Sequence, residues 1–176
     1  MIIPLLHRVT EGLQKFNIPY MLSGSVAMSM YTLPRMTMDI DIVIELKQDM
    51  FEDFISIFQK DFYIDLQSVK EEISRKGMFN VIDNQTGYKV DFVVRKDSKY
   101  RELEFARKLK KNIQGKSVWV VSAEDLVISK IDWIQQLQSP KQINDIENLL
   151  DSKGIDKVYI LKWCNNLKLN TFNFFK

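Results

Sequence analysis

Cysteine and histidine are almost absent from this chain. Its 176 residues include one of each, Cys164 and His7. A single cysteine cannot close an internal disulfide, which excludes the disulfide-stapled class and fits a reducing cytoplasm. His7 sits alone in a helical pattern with no partner nearby in sequence, so it reads as a surface or packing residue rather than a ligand. No apolar run approaches the roughly 20 residues that cross a bilayer. The start, Met1 to Arg8, lacks the basic region and long apolar stretch of a signal peptide. Internal repeats and low-complexity segments are missing too. What remains, 45% hydrophobic and 27% charged residues, is ordinary for a globular chain that buries a core. The length suits one domain, or one domain with a helical appendage.

One stretch stands out, Ser23 to Glu45. Gly24-Ser25 precedes a small-residue run, and Asp39-Ile40-Asp41 heads the apolar run Ile42-Val43-Ile44. The pattern predicts a strand, a Gly-Ser turn, a helix, a loop holding Arg35 and Thr37, and a second strand. Side chains alternate along a strand, so Asp39 and Asp41 share a face. Two carboxylates side by side raise each other's pKa and destabilise the strand unless something neutralises them. A hard divalent cation such as magnesium would do so, because it takes oxygen ligands, often carboxylates together with substrate phosphates. Gly24 allows close backbone approach, the following helix N-terminus offers N–H groups to an anion, and Ser25 adds a hydroxyl. A phosphate cradle facing a carboxylate pair is the equipment of phosphoryl or nucleotidyl transfer.

Gly24-Ser25 followed by Arg35-x-Thr37-x-Asp39-x-Asp41 resembles the signature of the nucleotidyltransferase superfamily typified by DNA polymerase beta. The Arg-x-Thr before the acidic pair resembles the small bacterial branch near the AbiE-type toxin nucleotidyltransferases. The resemblance implies a third carboxylate on a later strand. Asp91 meets that expectation: it lies inside Tyr88–Val94, an apolar strand where a charge is costly unless paired or metal-bound. The implied mechanism is two-metal transfer, with Asp39, Asp41 and Asp91 holding two magnesium ions and Asp91 doubling as general base. Gly24, Ser25, Arg35, Thr37 and Lys130 are then the implied nucleotide contacts. Arg35 has an alternative role as counter-charge to the acidic pair, and Lys130 as a core lysine with its stem buried.

The rest of the chain fills in an α/β (α+β) fold, a mixed sheet flanked by helices with a C-terminal helical region. Apolar spacing predicts a first helix over 2–16, a helix over 50–59 capped by Asp49, and a helix starting at Ser68 with Glu71 as a capping box. Strands follow at 78–82 and 88–94. A basic strand around Lys108–Ile113 turns at Gln114-Gly115 into the apolar strand ending at Val121. Ser122 caps a largely buried helix containing Lys130, Trp133 and Leu137, and two more helices follow, the first carrying Asp145 in a structural or substrate-facing role. The aromatic tail, Leu169 to Lys176, packs on the domain or meets a partner. The expected organisation is a nucleotidyltransferase core over 1–121 and a helical extension over 122–176.

Charge is split unevenly. Residues 1–94 hold 9 Lys and Arg against 13 Asp and Glu, and residues 95–176 hold 16 against 10. An acidic half for a metal and a basic half for an anionic substrate would give that division, as would solvated lysines on an ordinary surface. Two functions stay open on the sequence. One is a magnesium-dependent nucleotidyltransferase moving a nucleotide from an NTP to a hydroxyl acceptor such as RNA or tRNA, toxin-like and paired with an antitoxin. The other is an inactive module of the same fold that binds a nucleic-acid or protein partner. The catalytic version requires Asp91 to lie on the same face of the sheet as Asp39 and Asp41.

Overall fold

Apolar residues at helical spacing turn Leu5, Leu6, Val9 and Leu13 of the first helix, α1 (Ile2–Lys15), into the core. The computed structural model describes residues 2–175 and is an α+β fold. After α1 come β1 (Tyr20–Ser23), the short α2 (Gly24–Met28) and β2 (Asp39–Ile44). Then follow α3 (Phe51–Phe58), β3 (Phe62–Tyr63), α4 (Leu66–Arg75), β4 (Met78–Asp83) and β5 (Lys89–Val94). The chain continues through α5 (Lys99–Ala106), β6 (Leu109–Ile113), β7 (Lys116–Val120), α6 (Ala123–Trp133), α7 (Pro140–Leu150) and α8 (Lys157–Asn166).

All seven strands form one mixed sheet in the order β3-β4-β5-β2-β1-β7-β6. The central strand β2 runs antiparallel to β1 and parallel to β5. On one face, Ile40, Ile42 and Ile44 of β2 join Val90, Phe92 and Val94 of β5, all essentially buried. Phe54 and Phe58 of α3 meet Phe92 edge-on, at ring-centre distances of 5.2 and 5.5 Å, and seal that side. Because side chains alternate, this packing forces the odd-numbered residues of both strands, Asp39, Asp41, Lys89 and Asp91 among them, onto the opposite face. The apolar core therefore sets where the charges point.

Two cap assignments differ from the sequence expectation. Asp49 lies inside a 3-10 turn, Gln48–Met50, and the residue entering α3 is Met50. In α4 the cap is Asp65, whose carboxylate accepts from the Ser68 backbone N–H at 3.1 Å, so Ser68 is one turn inside the helix. Asp65 wins because a carboxylate at the entry also meets the positive end of the helix. Ser122 stands where the sequence puts it, accepting from the Asp125 N–H, and Ser139 with Gln142 makes a complete capping box at the start of α7.

The helix after Ser122 is only partly as expected. It ends at Trp133, and the side chains of Trp133 (64% exposed) and Leu137 (77% exposed) stand in solvent instead of the core. Its buried side carries Leu126, Val127, Ile128 and Ile131 and packs on α2, α7 and α8. Asp125, fully buried, ties this region together. One oxygen accepts from the hydroxyls of Tyr100 and Tyr159, the other from Ser122 Oγ and Arg107 Nε. The tail residues Leu169, Phe172, Phe174 and Phe175 are half-buried against the core. His7 donates from Nε2 to the Ile113 carbonyl at 2.8 Å, a packing role.

Candidate active site

Asp41 stands directly opposite Asp91 across the parallel β2–β5 pair, and Asp39 stands opposite Lys89. In-register partners on neighbouring strands face the same way, so all three carboxylates share one face. On the other side of Asp91, β4 places Asn80 opposite it. Asp39 is exposed and Asp91 half-buried, while the half-buried Asp41 also lies against Gly24. Burial pushes its carboxyl above the usual carboxylate range, and the charges of Asp91 and Asp39 push the same way. Lys130 and a hydrogen bond from the Ser25 backbone N–H pull it back only in part.

Gly24 is built around that carboxylate. Its φ is +62°, and a Cβ there would sit 1.8 Å from Asp41 Oδ2. Any other residue both strains the backbone and collides with the site. Gly24→Ala should therefore lower both the melting temperature and any metal-dependent nucleotide binding, whereas Gly115→Ala, in open space, should cost stability alone. Calorimetric melting and nucleotide titration of the two variants check this.

The cations gather around Asp145 of α7, which is 1% exposed. Arg35 donates to it through two nitrogens at 3.0 and 2.9 Å, and Lys130 Nζ at 2.8 Å. Arg35 also donates to Ser25 Oγ at 2.5 Å, which carries the network back to the Gly-Ser turn. Burial alone pushes the Asp145 carboxyl up. Arg35 and Lys130 outweigh that and hold it below the usual carboxylate range. Arg35 thus balances Asp145 and not the Asp39–Asp41 pair. Thr37 makes a long contact, 3.4 Å, to the Asp39 carbonyl.

Ser25, Arg35 and Lys130 come together through Asp145, and Asp39, Asp41 and Asp91 share a face beside Gly24. Arg95 and Lys96, at the end of β5, do not reach the acidic cluster: Arg95 pairs with Glu45 at 2.5 Å. The cation that neutralises Asp91 is Lys89, with Nζ 3.0 Å from Oδ2, and its ammonium is held above its ordinary range chiefly by that hydrogen bond. Lys89 escaped the sequence reading, although its i, i+2 spacing to Asp91 on a strand places both on one face.

Acidic residues on adjacent central strands, a glycine turn against one of them, and a cationic wall of Arg35 from the loop before β2 and Lys130 from α6 are the layout of a nucleotidyltransferase of the DNA polymerase beta-like fold. The family model described as "Nucleotidyl transferase AbiEii toxin, Type IV TA system" matches residues 10–167, and the chain belongs to that family. It is thus a transferase of the nucleotidyl class, and the family description implies a nucleotide substrate and an antitoxin. No curated protein matches the chain. Among solved structures, the antibiotic-resistance factor ANT(2'')-Ia has a TM-score of 0.63 at 17% identity, with 94% of this chain and 91% of that one covered. The lincosamide adenylyltransferase LnuA in its lincomycin-bound form gives 0.56 at 11%, covering 83% and 94%. A nucleotidyltransferase-like protein of Thermotoga maritima gives 0.52 at 14%, covering 93% and 92%. These likenesses bear on the fold. No described helix is long and apolar enough to cross a membrane.

Divalent metal is general in this class, and the donor set can be tested for it. Among the described residues no three acidic, histidine or cysteine side chains converge into a ready cage, and Asp91 is paired with Lys89. The chemistry nevertheless suits a hard cation: the donors are carboxylate oxygens only, and Asp41 is half-buried beside two like charges with too little positive charge to compensate.

Proposed function

We propose that this protein is a magnesium-dependent nucleotidyltransferase that moves a nucleotide from an NTP to a hydroxyl of an RNA or tRNA acceptor, as a toxin held in check by its antitoxin. The observation that carries the reading is the register of Asp41 opposite Asp91, with Asp39 on the same face and Gly24 packed on Asp41. Asp39, Asp41 and Asp91 would hold the metal, two ions in this reading, which when bound neutralises phosphate charge and lowers the pKa of the acceptor hydroxyl. Asp91 accepts the hydroxyl proton, once Lys89 is drawn off by the arriving phosphates, as the acceptor oxygen bonds the α-phosphorus and the bond to the β-phosphate breaks to release pyrophosphate. Ser25, Arg35 and Lys130 orient the triphosphate from the other wall, and Thr37 keeps the start of β2 in place. In this reading the core over 1–121 supplies the carboxylates, and the extension over 122–176 supplies Lys130 and its anchor Asp145.

Two further observations support the choice of partners. The relative ANT(2'')-Ia has been seen with adenylyl-2''-tobramycin, in which an adenylyl group is joined to the antibiotic. On this chain β6 presents Lys110 and Lys111 over the rings of Trp119 and Tyr31, a basic and aromatic surface of the kind RNA accepts. A single cysteine, Cys164, buried and with its thiol pushed up to about 11 by burial, supports a reducing, cytoplasmic setting for this reading. The Asp91–Lys89 pair favours one alternative, a binding module that never takes up metal.

Incubation with each labelled NTP, magnesium and total cellular RNA or protein separates the two. Transfer of label to RNA that disappears without magnesium and in Asp39→Asn supports the enzyme. Partner binding unaffected by magnesium, with no labelled product from any NTP, would leave only the module.

A further inference from the structure

Five of the eleven large apolar side chains left exposed among the described residues fall in two short segments. Leu33, Met36 and Met38 flank Arg35, and Trp133 and Leu137 follow Lys130. Arg35 and Lys130 are both tied to the Asp145 carboxylate. The two segments therefore rise from one point at the edge of the candidate active site. Scattered exposed apolar residues need no explanation, but a concentration beside a charged site marks a surface that something covers.

Trp133 is the member with a definite chemistry. It lies three residues beyond Lys130 on α6, so the two side chains are neighbours on the helix surface. The other two tryptophans are covered: Trp163 packs at a tilt against Tyr100 and Tyr159, and Trp119 lies under Lys108 and Lys110. Trp133 has no such partner among the described residues and keeps 64% of its surface in water. A flat apolar ring held on a helix, one turn from a phosphate-facing lysine, matches a ligand that joins a phosphate to a planar heterocycle.

We infer that Trp133 is the stacking platform for a nucleobase. The inference rests on the transferase reading, in which Lys130 faces the phosphates. The base belongs either to the NTP or to the acceptor RNA; the stacking chemistry is shared, and the test separates the sources. Bases stack on aromatic side chains with little regard to sequence, so Trp133 contributes affinity for a base without choosing which.

Calorimetric titrations in magnesium buffer use ATP, GTP, CTP and UTP, inorganic tripolyphosphate, and a short oligoribonucleotide. Trp133→Ala should weaken binding of the NTP by roughly 5- to 100-fold while leaving tripolyphosphate unchanged. Trp133→Phe should recover most of the loss. The same loss confined to the oligoribonucleotide assigns the stacked base to the acceptor. Wild-type affinity for every nucleotide and oligonucleotide in Trp133→Ala would overturn the inference, as would an equal loss for tripolyphosphate, which would mean that only α6 had shifted. Wild-type protein that binds none of these probes would instead sink the transferase reading, and the stacking role with it.

Discussion

Asp145→Ala should lower the unfolding free energy by about 2–4 kcal/mol, read from the urea midpoint at unchanged slope. Breaking a fully buried ion pair by removing one partner costs about 3–5 kcal/mol, because the orphaned charge stays out of water. Here the Asp145 side chain is 2% exposed, but Arg35 keeps 27% and Lys130 16%. Both cations can hydrate partly, which places the cost below the upper end. A second comparison isolates the cause. Asp145→Leu combined with Arg35→Met and Lys130→Met removes all three charges together, and should recover much of the stability while losing nucleotide binding. The pH dependence has a definite sign. The Asp145 carboxyl is held below its ordinary range, so its stabilisation is fully present above the unfolded pKa near 4 and fades as pH falls through the folded value. Between pH 5 and 2, wild type should therefore lose more stability than Asp145→Ala. A variant with the wild-type urea midpoint would mean that Arg35 and Lys130 find other partners, and that Asp145 does not organise the cationic wall.

Much of this site could be read from the chain because its parts follow local rules. The alternation of Asp39-Ile40-Asp41 in front of an apolar strand assigns the two aspartates to one face, and the same rule applies to Asp91 between Val90 and Phe92. Nothing local says which strands are neighbours, so the in-register placing of Asp41 and Asp91 emerges only once β2 and β5 pair. The partner of Arg35 was harder still. It lies 110 residues away on α7, and a charge next to an acidic pair in sequence suggests that pair as its counter-ion. Trp133 misled for a related reason: its spacing continues the buried pattern of α6, but the helix stops there, and the apolar side chain is left at the rim of the site. The cap of α4 shows a smaller version of the same limit, since Asp65 and Ser68 both satisfy the sequence rule and only the backbone decides between them.

Asp41→Asn should abolish transfer and stabilise the metal-free protein at the same time. The carboxyl of Asp41 is pushed up by burial and by the charges of Asp91 and Asp39, so its ionised form opposes folding at neutral pH. Asparagine removes that charge, fits the same space against Gly24, and keeps an oxygen for the Ser25 N–H. For a chain of this size each kcal/mol recovered raises the melting temperature by roughly 2–4 °C, and a rise of that order is expected without divalent ions. Magnesium should reverse the ranking. A ligand that binds only the folded state stabilises it by mass action, so wild type gains with added magnesium and Asp41→Asn gains little. The exposed Asp39 provides the contrast: Asp39→Asn should also lose transfer but leave the metal-free melting temperature near wild type. Asp91→Asn, in the role of general base, should lower transfer by roughly 10²- to 10⁴-fold. An Asp41→Asn protein that melts lower than wild type, or gains from magnesium to the same extent, would show that Asp41 is a structural cap for α2 whose charge the fold already accommodates.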